Sequence, residues 1–195
     1  MTPPLSLCVY CGSREGSEPA YARAADIVGE LIGRRGWRLV YGGGRAGLMG
    51  RVADAALAAG ASVIGVIPNS LMTRELGHPG LNELHVVETM HQRKHMMAER
   101  SDAFLALPGG IGTFEEMFEV WTWRQLGYHD KPLGLLNAGG YYDAMLQFLR
   151  GSVGHGFMND WQMDLVRVGT DAPALLGELV QASGSASGKA DLSEI

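Results

Sequence analysis

Ala103-Phe104-Leu105-Ala106-Leu107 runs straight into Pro108-Gly109-Gly110-Ile111-Gly112-Thr113-Phe114-Glu115-Glu116. The first five residues are a short apolar run, the signature of a strand buried on both faces. Pro and three Gly then break the chain, and Thr113 to Gln125 follows as a helix. A strand, a glycine-rich turn and a helix thus succeed one another without a linker. The same order recurs upstream. Leu5 to Tyr10 ends at Cys11-Gly12-Ser13 and leads to a helix that Ser17 is expected to cap, with Pro19 in its first turn. Tyr21, Ala25, Val28 and Ile32 mark the buried stripe of that helix, and Gly36 ends it. Trp37 to Tyr41 is followed by Gly42-Gly43-Gly44 and an Ala-rich helix, Leu48 to Ala59.

Further strands are expected at Ser62 to Ile67, Leu84 to Val87, Leu133 to Leu136 and Leu165 to Val168. Helices are expected at Thr89 to Arg100, Tyr141 to Leu149 and Asp171 to Gln181, and Pro68 to Gly80 reads as an irregular excursion. Alternation of this kind implies an α/β fold: one Rossmann-like domain over residues 1–181, with a mostly parallel sheet covered by helices on both faces. Residues 182–195, rich in Ser and Gly, read as a C-terminal tail.

The chain has 195 residues, enough for one well-buried domain, and its 28 Gly follow apolar runs rather than a fixed period. A net charge of −5 and the absence of a basic run count against nucleic-acid binding. No stretch approaches the roughly 18 apolar residues of a membrane-spanning helix. Met1-Thr2-Pro3-Pro4 opens no basic stretch followed by an apolar one, so a cytoplasmic location and no membrane partner are expected. Cys8 and Cys11 have redox-pair spacing, but Cys8 lies within a strand rather than at a helix start, where the dipole would activate it.

Three motifs carry chemistry. In Tyr41-Gly42-Gly43-Gly44-Arg45-Ala46-Gly47-Leu48-Met49-Gly50, glycines let backbone amides approach a phosphate ahead of a helix N-terminus. An acidic residue about 20 positions on, which a dinucleotide site would use, is missing. In Pro108 to Glu116, Gly109, Gly110 and Gly112 expose amides and Thr113 adds a hydroxyl. No Lys follows these glycines, so a Mg-triphosphate loop is not implied. Glu115 and Glu116 differ by about 100° around the helix, so at most one should face a ligand. In Met90-His91-Gln92-Arg93-Lys94, a guanidinium and an ammonium can neutralise phosphate or pair with a carboxylate. His91 and His95 lack the intervening acid of a zinc-binding helix, and no metal is expected. Trp121, Trp123 and Tyr128 read as core.

In this order, Y-G-G-G-x-x-G-L-M-G, M-x-x-R-K and P-G-G-x-G-T-x-x-E resemble the "lonely guy" family of cytokinin riboside 5′-monophosphate phosphoribohydrolases. Val9-Tyr10-Cys11-Gly12-Ser13 and Trp121-Thr122-Trp123-Arg124-Gln125-Leu126-Gly127 add to the likeness, which spans Leu5 to Gln181. The resemblance implies hydrolysis of the N-glycosidic bond of a purine nucleoside 5′-monophosphate, either AMP or an N6-modified analogue, without a cofactor. It places Arg93 and Glu116 as catalytic. It puts Gly109, Gly110, Gly112 and Thr113 in a phosphate loop, and Met90 and Lys94 on the nucleotide pocket. The Gly43-Gly44 turn is expected to share the phosphate, and Arg93 to hold Glu116 ionised. A homodimer or larger assembly is implied as well. The lysine decarboxylase label attached to the family fits poorly, since no feature marks a Schiff-base lysine for pyridoxal phosphate. The alternative is a nucleotide carrier or sensor with the same pocket and no turnover.

Overall fold

The computed structural model describes residues 4–73 and 75–184. Its sheet has seven strands, β1 (Ser6–Tyr10), β2 (Arg38–Tyr41), β3 (Ser62–Pro68), β4 (Glu83–Val87), β5 (Ala103–Ala106), β6 (Leu133–Leu136) and β7 (Val166–Gly169), in the order β4-β3-β2-β1-β5-β6-β7. Every neighbouring pair is parallel, with Leu7 opposite Leu39 on one side and Ala103 on the other. The chain therefore winds outward from β1 to β4, returns to the other side of β1 at β5, and winds outward again. Between β1 and β5 the direction of winding reverses, which opens a crevice beyond their carboxyl ends.

Alternation along β1 sets the two cores. Leu7 and Val9 face a layer made by α1 (Pro19–Arg34), α2 (Gly47–Ala58) and α7 (Ala172–Ser183). Cys8 and Tyr10 face the opposite layer, made largely by α3 (Met90–Glu99), α4 (Ile111–Leu126), α5 (Asp143–Gly154) and the short α6 (Asp160–Met163). Within the first layer α1 and α2 pack unusually close. A Cβ on Gly29 would meet the Val52 carbonyl at 2.5 Å, and one on Gly33 the Ala59 Cβ at 2.4 Å. Cys8 and Cys11 are buried free thiols that belong to different cores, and burial pushes Cys8 up to about 12 and Cys11 higher still. Burial disfavours the thiolate form of both, and their placement in different cores argues against a redox pair.

Most expected elements are present with ends moved by a residue or two. Three departures matter. Ser17 does not cap α1: Glu18 is the N-cap, it makes no side-chain cap bond, and Pro19 supplies the preset first-turn φ instead. α5 runs five residues past its expected end, to Gly154, and α6 lies in a stretch where no element was expected. Asn159 and Gln162 form a capping box there, a signal present in the sequence but hidden by the brevity of the helix. Of the expected tail, 182–184 complete α7 and its C-cap, and 185–195 lie outside the described residues. No helix of the described residues is long and apolar enough to cross a membrane.

Candidate active site

The crevice at the winding reversal holds a cavity of about 540 Å³. The segment after β1, Cys11 to Gly16, forms one wall and the segment after β5, Pro108 to Thr113, another. The two are in direct contact: the Gly12 N–H donates to the Pro108 carbonyl at 3.0 Å, and a Cβ on Gly109 would lie 2.8 Å from the Gly12 nitrogen and 2.1 Å from Thr113 Oγ1. Only glycine permits this approach. Met49, Met90, Glu75, Arg93, Glu116, Tyr21 and Tyr141 complete much of the lining.

α4 begins at Ile111 with Gly110 as N-cap, and no side chain caps it. Its first intrahelical donor is Phe114, bonded to the Gly110 carbonyl at 3.1 Å. The preceding amides are the orphan donors of a helix N-terminus, on residues that border the cavity, and the helix dipole adds partial positive charge. An anion is favoured there.

Arg93 is held 4 % exposed on the first turn of α3, which Thr89 and Gln92 start with a capping box. Its Nη2 donates to the Gly42 carbonyl at 3.1 Å and lies 3.4 Å from Glu75 Oε2 and 4.0 Å from Glu116 Oε1. Its Nη1 rests 3.9 Å from Met90 Sδ. Glu116 is carried one helical turn into α4, where burial pushes its carboxyl up to about 7. Arg93 pulls in the other direction and Glu75 adds to the rise. Arg93 favours the ionised form, as expected, but does not dominate. Loss of hydration outweighs a guanidinium 4.0 Å away, and the carboxyl is poised between its two forms at neutral pH.

Lys94 does not itself line the cavity. Its Nζ donates to Glu115 Oε1 at 2.5 Å and to Glu119 Oε1 at 2.8 Å. Burial alone would lower the ammonium, but these hydrogen bonds keep it above its ordinary value. Glu115 and Glu116 both border the cavity, yet their ion pairs divide as the helical angle requires: Glu115 with Lys94, Glu116 with Arg93. Gly43 and Gly44 also stand outside the lining. A Cβ on Gly43, at φ +77°, would press on Ile67 and Val66, while Gly44 forms an isolated antiparallel bridge with Gly77. The triple-glycine turn thus packs against β3 and the excursion after it. Met90, Gly109, Gly110, Gly112, Thr113, Arg93 and Glu116 do meet at the cavity.

Sequence reading missed Glu75, in the excursion between β3 and β4. Its placement depends on contacts with no local pattern: the Arg45 N–H donates to the Glu75 carbonyl, and His78 fastens the segment through Asp54 at 2.9 Å and the Gly43 carbonyl at 2.9 Å. Tyr21 and Tyr141 were likewise not singled out as site residues. Trp121 and Trp123 belong to the α3–α4 core, the former donating to the Gln162 carbonyl at 2.9 Å. Among the described residues no group of His, Cys, Asp and Glu could hold a metal ion.

Residues 49–179 match the model of the family described as possible lysine decarboxylase. The chain is 47 % identical to the cytokinin riboside 5′-monophosphate phosphoribohydrolase LOG3 of Arabidopsis thaliana, over 89 % of this chain and 80 % of the relative. It is 51 % identical to the enzyme of that name from Rhodococcoides fascians, over 80 % and 79 %. The chain belongs to the lonely guy family. Outside that family's closer members the fold reaches further: the molybdenum cofactor binding protein of Rippkaea orientalis superposes with a TM-score of 0.70 over 93 % of this chain and 98 % of its own, at 22 % identity. That likeness concerns the fold alone. The lonely guy motifs are what this chain places at the cavity: the P-G-G-x-G-T segment at its rim, the Arg of M-x-x-R-K and the last Glu of the P-G-G motif at its base.

Proposed function

We propose that the chain hydrolyses the N-glycosidic bond of purine nucleoside 5′-monophosphates, giving free base and ribose 5-phosphate. One observation carries this reading beyond phosphate binding. Glu116 is a buried carboxyl poised near neutrality, in a cavity whose rim is an uncapped helix N-terminus. A site that only gripped phosphate would gain nothing from it.

The 5′-phosphate rests on the amides of Gly110 to Thr113 and anchors the ribose away from the reacting bond. Breaking the bond between C1′ and the base leaves the electron pair with the base and builds positive charge on the ribose ring. Ionised Glu116 stabilises that charge and takes a proton from the attacking water, whose oxygen bonds to C1′. The departing base takes up one proton from solvent and Glu116 returns one to solvent, which restores the carboxylate. Arg93, fixed by the Gly42 carbonyl, positions Glu116 and keeps its proton affinity from rising further. Glu75 sets that affinity from the opposite side. Met90 and Met49 give the cavity apolar wall against which a base can lie. AMP and N6-prenylated AMP are both within this reading. The assembly is read as a homodimer in the cytoplasm. In favour of pairing are the family resemblance and exposed apolar side chains, Phe148 at 72 % and Phe157 at 85 %.

The test is base release. Purified protein is incubated with AMP and with isopentenyladenosine monophosphate, without metal or cofactor, and products are separated by chromatography. Free base with equimolar ribose 5-phosphate is the expected result. Tight nucleotide binding without release would replace the reading by a carrier.

A further inference from the structure

Four consecutive carbonyls of the turn between β5 and α4 have donors from elsewhere in the fold or from the helix itself. Leu107 accepts from the Tyr142 hydroxyl at 2.6 Å, Pro108 from the Gly12 N–H at 3.0 Å, and Gly110 from the Phe114 N–H at 3.1 Å. Gly109 accepts from the Tyr141 hydroxyl. Glycine has no side chain to restrict φ and ψ, so a Gly-Gly peptide keeps its orientation only if something outside it supplies the restraint. All peptides among the described residues are trans, and in a trans planar peptide a fixed C=O fixes the following N–H. The Tyr141 bond thus sets the plane that carries the Gly110 N–H.

We propose that Tyr141 is the positioning residue of the phosphate-binding turn, acting through the Gly109 carbonyl to aim the Gly110 amide. The proposal rests on the reading of that turn as the phosphate site. Tyr141 is well placed for the task. It follows Gly139 and Gly140, both at positive φ, in a turn that Asn137 closes by donating to Asp143 at 2.7 Å and accepting from the Tyr142 N–H at 2.7 Å. Its ring packs edge-on against Tyr21 at 5.4 Å and Tyr142 at 4.9 Å. These contacts hold the ring without the hydroxyl, so removing the hydroxyl releases the peptide and leaves the fold intact. Tyr142 differs: it is 1 % exposed, and its hydroxyl is a buried core group.

The experiment compares wild-type protein with Tyr141→Phe by calorimetric titration of ribose 5-phosphate and of adenosine, with steady-state kinetics on AMP and a thermal melt. Loss of one orienting hydrogen bond predicts a ribose 5-phosphate affinity about three- to ten-fold weaker. Adenosine affinity and melting temperature stay unchanged, and KM rises with kcat nearly constant. Equal ribose 5-phosphate affinity in the two proteins overturns the proposal. So does an equal loss for both ligands, which reports general damage to the cavity. Wild-type protein that binds neither AMP nor ribose 5-phosphate removes the phosphate reading itself, and the proposal falls with it.

Discussion

Arg93 Nη2 lies 4.0 Å from Glu116 Oε1 but 3.1 Å from the Gly42 carbonyl oxygen. The guanidinium is a neighbour of the carboxyl and not its hydrogen-bonded partner. It is anchored to backbone, shares its charge with Glu75 at 3.4 Å, and leaves Glu116 free to change protonation state. A tight bidentate pair would have locked Glu116 as a carboxylate and kept both its oxygens from water and ribose.

Replacement of Glu116 by Gln keeps the shape and removes the base. Turnover on AMP is expected to fall by about 10²- to 10⁴-fold, with nucleotide affinity largely retained. Chromatographic assay of base release with a separate binding titration checks both halves. Equal loss of rate and affinity would make Glu116 structural.

The same group gives a pH signature. If ionised Glu116 is the base, kcat/KM rises through about pH 7. Stability moves the other way. A carboxyl whose folded pKa is raised contributes stability fully below its unfolded value and loses it as pH climbs through about 7. Glu116→Gln is therefore expected to be more stable than wild type at about pH 8, by on the order of 3 kcal/mol, and to lose that advantage at about pH 4. Urea unfolding at the two pH values measures it.

Glu75 raises the proton affinity of Glu116 and Arg93 lowers it. Glu75→Gln should thus shift the acid limb of the kcat/KM profile to lower pH, and Arg93→Met should shift it higher. Two profiles that move in the same direction would contradict the assignment.

Lys94 distinguishes binding from scaffolding. Its ammonium joins Glu115 and Glu119, so Lys94→Met leaves two carboxylates of one helix face without their cation. A stability loss of about 1–3 kcal/mol is expected, with KM for the nucleotide little changed. A large rise in KM without loss of stability would return Lys94 to the nucleotide pocket.

The glycines of the turn divide by geometry. Gly109→Ala would force a methyl group against Thr113 Oγ1 and the Gly12 nitrogen, whereas a Cβ on Gly112 meets nothing within 4 Å. The first is expected to weaken nucleotide binding at least about ten-fold by displacing the turn, and the second to leave the melting temperature at or above that of wild type. Binding titration and thermal melts of the pair decide it.

The inner strands β1, β2, β3 and β5 were legible because each is a short, mostly apolar run closely followed by Gly or Pro, and the ligand edge because glycine-rich turns follow β1, β2 and β5. Arg93, Glu116 and Gly109 to Thr113 stood out because their chemistry lies in contiguous motifs. Gly43 and Gly44 stood out for the same reason but lie outside the cavity lining. A glycine that admits a phosphate and one that admits a neighbouring strand share one local signature, and only the packing of Ile67, Val66 and Gly77 distinguishes them. Lys94 stood out in the same motif as Arg93, and helix phase one residue past Arg93 points its side chain to Glu115 and Glu119. Glu75 and Tyr141 left no signal. Their positions follow from tertiary bonds, Glu75 to Arg45 and Arg93 and Tyr141 to Gly109, and otherwise from turns whose course no periodicity records.

The bridge between Gly44 and Gly77 gives the triple-glycine turn a remote influence. By seating the excursion that bears Glu75, it fixes how much negative potential Glu116 feels. A lesion at Gly44 or Gly77, which spares the Gly42 carbonyl under Arg93, would reach the chemistry as a drift in working pH. Rewriting the excursion alone would retune the enzyme to a more acidic or more alkaline compartment, much as a counterweight resets a balance without touching its pans.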